Sequence, residues 1–310
     1  MVPRELEKLL LRQKYKIIGR SAAAKLCLWT KRAILGKGAC YKQQFYGVPS
    51  HRCLQITPCV AHCTHKCVFC WRAVDFTETE MRTEEIDEPR DIVARALVAQ
   101  REMISGFGGV EVDEEKYREA QEPKNVAISL SGEPTLYPKL NALINEFRSQ
   151  NMSTFVVSNG TQPEVIGRIT PTQLYVSLCA PDEKTYKNVN APLLSNGWAR
   201  LNRSLSLLAR HPSRTVIRMT LVRDVNMHAP EKYAELVRLA RPVFVECKSY
   251  MHVGYSIHRL GVENMPSFGE IKDFARDVAR EAGYVYTDEN EVSRVALLCR
   301  DEESREKRFL

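Results

Sequence analysis

Six short apolar runs recur between residues 52 and 250, each followed by a segment with helical spacing, and this rhythm restricts the fold more than any other feature of the chain. The runs are RCLQIT at 52–57, a stretch from Val126 to Leu130, then STFVVSNG, QLYVSLCAP, TVIRMTLV and PVFVECKSY. Helical segments are predicted at 90–104, 138–149, 162–169, 198–210, 230–240 and 267–282. Strands joined by crossover helices make a parallel sheet with right-handed connections. Six units are too few for the closed eight, so the expected architecture is α/β, an incomplete (β/α)6 TIM-like barrel. Residues 1–51 form an extension before it, 52–285 the barrel and 286–310 a C-terminal tail that ends in the charged, frayed stretch SREKRFL.

Between the first strand and the first crossover helix lies PCVAHCTHKCVFCWR, Pro58 to Arg72, with Cys63, Cys67 and Cys70 in the order CxxxCxxC. A four-iron cluster normally takes four thiolates, so three from the protein leave one iron open to a non-protein ligand. Two other readings compete. The three cysteines share a helical face and would then be buried core, or His62 or His65 supplies a fourth ligand for structural zinc. Thr64, His65 and Lys66 make a poor apolar run and Pro58 breaks the approach, which weakens the helical reading.

Ten cysteines, hydrophobic residues at 44% and charged ones at 27% describe a globular chain with metal chemistry in a reducing compartment rather than a disulfide framework. No apolar run approaches the roughly 20 residues that span a bilayer, and MVPRELEKLLLRQKYK is not a signal peptide, so a cytoplasmic protein without membrane attachment is expected. The formal charge of +7 is uneven: residues 1–58 hold twelve Lys/Arg against Glu5 and Glu7. That concentration suits a polyanion, although a solvated basic face is the alternative.

Residues 4–18 read as an amphipathic helix. Cys27, Cys40 and Cys53 follow, with twelve residues between each pair, which matches no paired zinc knuckle. They are either a second set of three cluster thiolates or scattered core cysteines. Lys42, among Tyr41, Phe45 and Tyr46, is either an amine nucleophile with a depressed pKa or a solvated or phosphate-contacting cation. EVDEEKYREAQEP reads as an acidic surface insertion.

Parallel βα folds place function at the carboxyl ends of strands. There the sequence offers Ser131, Gly132 and Glu133, then Ser158, Asn159 and Gly160, then Ser177, then Arg218, Thr220 and Arg223, and last Lys248 with YMHVGYS. Gly132 permits close backbone approach and Glu133 can receive a cation. Each is equally readable as a turn or a satisfied polar end.

CxxxCxxC with Phe69 before its last cysteine resembles the signature of the radical S-adenosylmethionine (SAM) enzymes, and SGEP resembles their GGE-like motif with Ser131 in place of the first glycine. More narrowly, the evenly spaced cysteines with CYK in the middle, SHRC where the family has THRC, CxxxCxFCWR, SGEPTLYP, SNG and YMHVGYS together resemble the tRNA 4-demethylwyosine synthase family, from about residue 5 to residue 300. The start on a basic helix resembles the archaeal form, which lacks the FMN domain of eukaryotic members. The resemblance implies two 4Fe–4S clusters, one on Cys63, Cys67 and Cys70 and an auxiliary one on Cys27, Cys40 and Cys53. It implies SAM held with help from Gly132, Glu133, Asn159 and Ser177, and Lys42 as an amine for a Schiff base with pyruvate. The implied substrate is tRNA(Phe) bearing N1-methylguanosine at position 37, which is condensed with two carbons of pyruvate. A flavodoxin- or ferredoxin-type electron donor and a monomeric enzyme are also expected. The target base must leave its loop to react, and Arg200, Arg203, Arg210 and Arg214 join the basic segment as candidate phosphate contacts. Two competing functions are another radical SAM enzyme with an auxiliary cluster, acting on a nucleotide or peptide, and a zinc-stabilised RNA-binding module.

Overall fold

The computed structural model describes residues 2–309. Its ten strands are β1 (Tyr15–Ile17), β2 (Ala23–Lys25), β3 (Cys53–Thr57), β4 (Asn125–Ile128), β5 (Ser153–Ser158), β6 (Gln173–Ser177), β7 (Arg214–Leu221), β8 (Phe244–Ser249), β9 (Val285–Asn290) and β10 (Val295–Cys299). The six strands expected from the apolar runs are β3 to β8. The chain divides into two compact units, the first comprising 2–63, 78–157 and 169–173, the second 64–77, 158–168 and 174–309.

In the first unit the strand order is β1-β2-β3-β4-β5. β3 pairs with β4 and β4 with β5 in parallel, whereas β1 and β2 add an antiparallel edge. β4 is buried at every residue, the pattern of a strand covered on both faces. Helix Pro89–Ser105 starts with proline in its first turn and buries Ile92, Val93, Ala96, Ala99, Gln100 and Ile104 along one face. It packs against helix Leu140–Ser149, whose Leu143, Ile144 and Phe147 are fully buried. Each such side chain stabilises the fold by about 1.5–3 kcal/mol relative to exposure.

The amphipathic N-terminal helix is shorter than its periodicity predicts. It spans Arg4–Arg12, and Lys14, at φ 65, turns the chain out of it into β1. The acidic insertion is likewise more than surface. Helix Glu114–Ala120 buries Ala120 against Ile34 and Ile104, and Glu119 pairs with His51 at 2.6 Å and Arg52 at 3.2 Å.

In the second unit the order is β6-β7-β8-β10-β9, with β7 and β8 parallel and β10 antiparallel to both β8 and β9. Helix Phe268–Ala282 is opened by a reciprocal Ser267–Glu270 capping box and closed by Gly283 at φ 72. The C-terminal tail, residues 286 onward, contains most of β9, all of β10 and a capped helix, Glu302–Glu306, which takes in the first residues of the SREKRFL stretch expected to fray. β10, VALLC, is buried throughout, and Arg308 pairs with Asp288 at 3.2 Å. No helix among the described residues is long and apolar enough to cross a membrane.

Candidate active site

Cys27 and Cys40 occupy the same local position: each is the extended residue just before a short helix, Leu28–Ile34 and Tyr41–Tyr46 respectively, and Cys53 opens β3. One small hydrogen-bond hub draws their backbones together. Ser50 Oγ accepts from the Cys40 N–H at 2.8 Å, while Thr30 Oγ1 donates to the carbonyls of Ser50 at 3.0 Å and Cys53 at 3.3 Å. Burial pushes the Cys53 thiol up to about 12, the Cys27 thiol adds to the rise, Lys42 opposes it and Cys40 contributes a smaller increment. Those four groups, separated by up to 26 positions in the chain, therefore share one electrostatic environment. The Lys42 ammonium lies over the Phe155 ring, 5.0 Å from its centroid. None of the three cysteines is in a disulfide. Three thiols around one hydrogen-bonded hub, none of them in a disulfide, offer a metal group three ligands, and its binding would displace their protons.

Elsewhere in the first unit, Cys63 is buried and its N–H donates to the Glu78 carbonyl at 2.8 Å. Gly132 stands at φ 72, and a Cβ there would lie 2.1 Å from the Cys59 carbonyl oxygen and 2.6 Å from that of His62. Only glycine lets this turn pack on the cysteine loop. The adjacent Glu133 N–H donates to the His62 carbonyl at 2.7 Å, and its buried carboxylate accepts from the Thr135 hydroxyl at 2.6 Å and the Thr135 N–H at 3.1 Å. Ser131, at the position of the usual first glycine, donates to the Val60 carbonyl at 3.1 Å. Cys59 is wholly buried and donates its thiol to the Glu133 carbonyl at 3.1 Å, a structural contact.

In the second unit the Cys70 N–H donates to the Cys67 carbonyl at 3.0 Å, and the Asn190 amide donates to Cys67 Sγ at 3.5 Å. The YMHVGYS region and the residues after it brace this half of the loop. Arg259 donates to the carbonyls of Val68, at 3.1 Å, and Cys70, and the Tyr255 N–H donates to the Trp71 carbonyl at 2.9 Å. Gly254, at φ 62, comes so near that a Cβ would lie 2.4 Å from the Trp71 oxygen. Asn159 links the same loop to the end of β5: its Nδ2 donates to Thr64 Oγ1 at 2.8 Å, and its Oδ1 accepts from the Thr161 N–H and hydroxyl. Ser177 is the last residue of β6 and is half-buried. Arg218 stacks on Tyr175, 4.4 Å from its centroid, and is paired at 2.9 Å with the fully buried Glu246, its register partner on β8. Lys248 donates to the Ser293 carbonyl at 2.6 Å.

Asn190, Arg259, Thr64 and Thr135 are the site residues that the sequence did not disclose. NVNAP and SIHRL carry no local signal, because their partners lie more than 100 positions away. Three of the arginines expected at phosphates have partners within the protein, Arg203 pairing with Glu164 at 3.0 Å. Arg200 binds the Thr161 carbonyl at 2.5 Å, Gln162 and Glu164, and Arg214 donates to the Arg308 carbonyl at 2.6 Å.

Residues 57–237 match the profile of the Radical SAM superfamily and residues 239–300 that of Wyosine base formation. The first match covers more than half of the chain and defines the class: a radical SAM protein with a mixed α/β sheet, as the strand pattern led one to expect. The chain is 48% identical over 309 residues to the S-adenosyl-L-methionine-dependent tRNA 4-demethylwyosine synthase of Pyrococcus abyssi, covering 97% of this chain and 90% of that one. It is 42% identical over 304 residues to the protein of the same name from Methanocaldococcus jannaschii, with 96% of each covered. A solved structure of TYW1 with a lysine–pyruvate adduct bound superposes with a TM-score of 0.90 at 41% identity, over 97% of both chains. The chain belongs to the S-adenosyl-L-methionine-dependent tRNA 4-demethylwyosine synthase family and is a radical SAM enzyme of tRNA wyosine biosynthesis.

Proposed function

We propose that this enzyme condenses N1-methylguanosine at position 37 of tRNA(Phe) with two carbons of pyruvate, in the cytoplasm and as a monomer supplied with electrons by a flavodoxin- or ferredoxin-type donor. The observation that carries the reading is the grouping of Lys42 with Cys27, Cys40 and Cys53 in one electrostatic environment, in a chain whose structural relative holds a lysine–pyruvate adduct. Cys63, Cys67 and Cys70 would hold the cluster that binds SAM, and Cys27, Cys40 and Cys53 an auxiliary cluster.

When bound, these groups supply reductive cleavage of SAM and hence hydrogen abstraction from an unactivated N-methyl carbon, a step outside the reach of acid–base side chains. The chain's own residues bind and orient. Glu133, fixed by Thr135, receives the SAM ammonium, and Gly132 keeps the backbone close enough for it to do so. Asn159 and Ser177, at the ends of β5 and β6, line the remainder of the SAM site, with Asn159 acting mainly by tying Thr64 and Thr161 in place. Lys42 attacks the pyruvate carbonyl, losing water to form an imine that fixes the two retained carbons. The basic extension, residues 1–51, binds the tRNA backbone and should make affinity fall steeply with salt.

Borohydride reduction in the presence of [14C]pyruvate tests the role of Lys42. One label per chain, mapping to the peptide that contains Lys42 and absent from Lys42→Arg, is the expected result; label distributed over other lysines contradicts it. Lys42→Arg keeps the charge but not the nucleophile, so product formation should fall by two orders of magnitude or more while 5′-deoxyadenosine is still made.

A further inference from the structure

His62, in the first unit, has a role that neither cluster accounts for. Its ring is buried, 2% exposed, and neither ring nitrogen makes a hydrogen bond. Nε2 points at two carboxylates, lying 3.3 Å from Glu85 Oε2 and 3.9 Å from Glu78 Oε2. The three donor atoms fall within 4.8 Å of one another. Zinc-type bond lengths put donor atoms about 3.4 Å apart around a tetrahedral ion, so this spacing needs only small side-chain rotations to close on a cation. Buried polar nitrogens without partners are rare and call for a missing ion or water.

The three residues are also held in place from behind. Glu78 and His62 are bridged by parallel backbone pairing, in which the Glu78 N–H donates to the Ala61 carbonyl at 3.2 Å and the Cys63 N–H to that of Glu78. The His62 carbonyl is taken by the Glu133 N–H. Glu85 sits in a one-turn helix, with Oε1 bound to the Arg82 guanidinium at 2.9 Å and Oε2 accepting the Arg82 N–H at 3.0 Å on the side that faces His62. Glu78, 41% exposed, provides the way in from solvent.

We propose that His62, Glu78 and Glu85 bind one first-row divalent cation through one imidazole nitrogen and two carboxylate oxygens, with water completing the shell. The donor set contains no thiolate, which separates it chemically from both cysteine triads and suits Mn(II), Fe(II) or Zn(II). The bound ion fixes the residue immediately before Cys63 and so positions that thiol.

Mn(II) is the probe, because among these ions it competes least for thiolates. Full-length protein with reconstituted clusters, freed of loose iron, is titrated with MnCl2 while free Mn(II) is read by EPR. One saturable equivalent per chain is expected, with an imidazole 14N coupling in pulsed EPR. Affinity should fall at least tenfold in Glu78→Gln and in His62→Gln, and the coupling should vanish in His62→Gln. Absence of a saturable equivalent in the wild type, or equal affinity in Glu78→Gln at unchanged iron content, overturns the proposal. Glu78→Gln, at a half-exposed position, decides the matter alone if His62→Gln does not fold.

Discussion

The side-chain amide of Asn190 donates to the sulfur of Cys67 across 3.5 Å, although 123 positions separate the two residues. A sulfur that accepts a hydrogen bond carries less charge onto a bound cluster, and such bonds are among the factors that set cluster potentials. Asn190→Leu should therefore make the SAM-cluster potential more negative and slow SAM cleavage several-fold while leaving iron content unchanged. Redox titration followed by EPR checks this, and a potential equal to that of the wild type would remove Asn190 from the account.

Gly132 has no room for a methyl group: a Cβ would lie 2.1 Å from the Cys59 oxygen, at a φ of 72 that disfavours any other residue. Gly132→Ala should cost roughly 2–4 kcal/mol. Denaturant unfolding of the reconstituted protein measures it, with loss of the SAM-binding cluster as the companion effect. A variant of wild-type stability would show that the turn can move off the loop.

The two cysteine triads should fail differently. Cys63→Ala should abolish 5′-deoxyadenosine production. Cys40→Ala, in the group that includes Lys42, should retain some uncoupled cleavage and lose product. Equal residual cleavage in both variants would end the division of labour between two clusters.

Arg223 and Glu270 give a pH-dependent contribution away from the chemistry. Hydrogen bonds from Arg223 and then Ser267 draw the Glu270 carboxyl down to about 2 from an ordinary 4.5. As pH falls, the unfolded chain protonates this group first, so its contribution is present above about 4.5 and is lost progressively down to about 2. With Glu270 39% exposed, screening should hold the effect below about 1 kcal/mol. Carboxyl NMR should show Glu270 titrating near 2 in the wild type and part of the way back toward 4.5 in Arg223→Met, where the Ser267 hydrogen bonds remain; an unchanged titration would mean that Ser267 alone depresses it.

The central strands were legible because buried runs such as NVAI in β4 and FVECKS in β8 alternate with helical spacing. The edges were not. β1 and β2 are three residues each, too short to show a period, and β9, VYTDEN, is polar because it covers the sheet edge at half burial. The candidate site residues could be proposed from the sequence because cysteine spacing and strand-end glycines are local signals. Their long-range supports could not, since Asn190 and Arg259 act through contacts that only the fold creates. Lys42 was ambiguous as a residue and gained meaning from its neighbours Cys27 and Cys53, which lie outside its own helix.

The most direct test is anaerobic reconstitution with iron and sulfide, an iron count, and incubation with SAM, pyruvate, a strong reductant and tRNA carrying N1-methylguanosine. About eight irons per chain, the sum of two four-iron clusters, and a tricyclic base in the digested tRNA are the predicted result. About four irons, with 5′-deoxyadenosine formed and the tRNA unchanged, would contradict the assignment of Cys27, Cys40, Cys53 and Lys42 to the condensation.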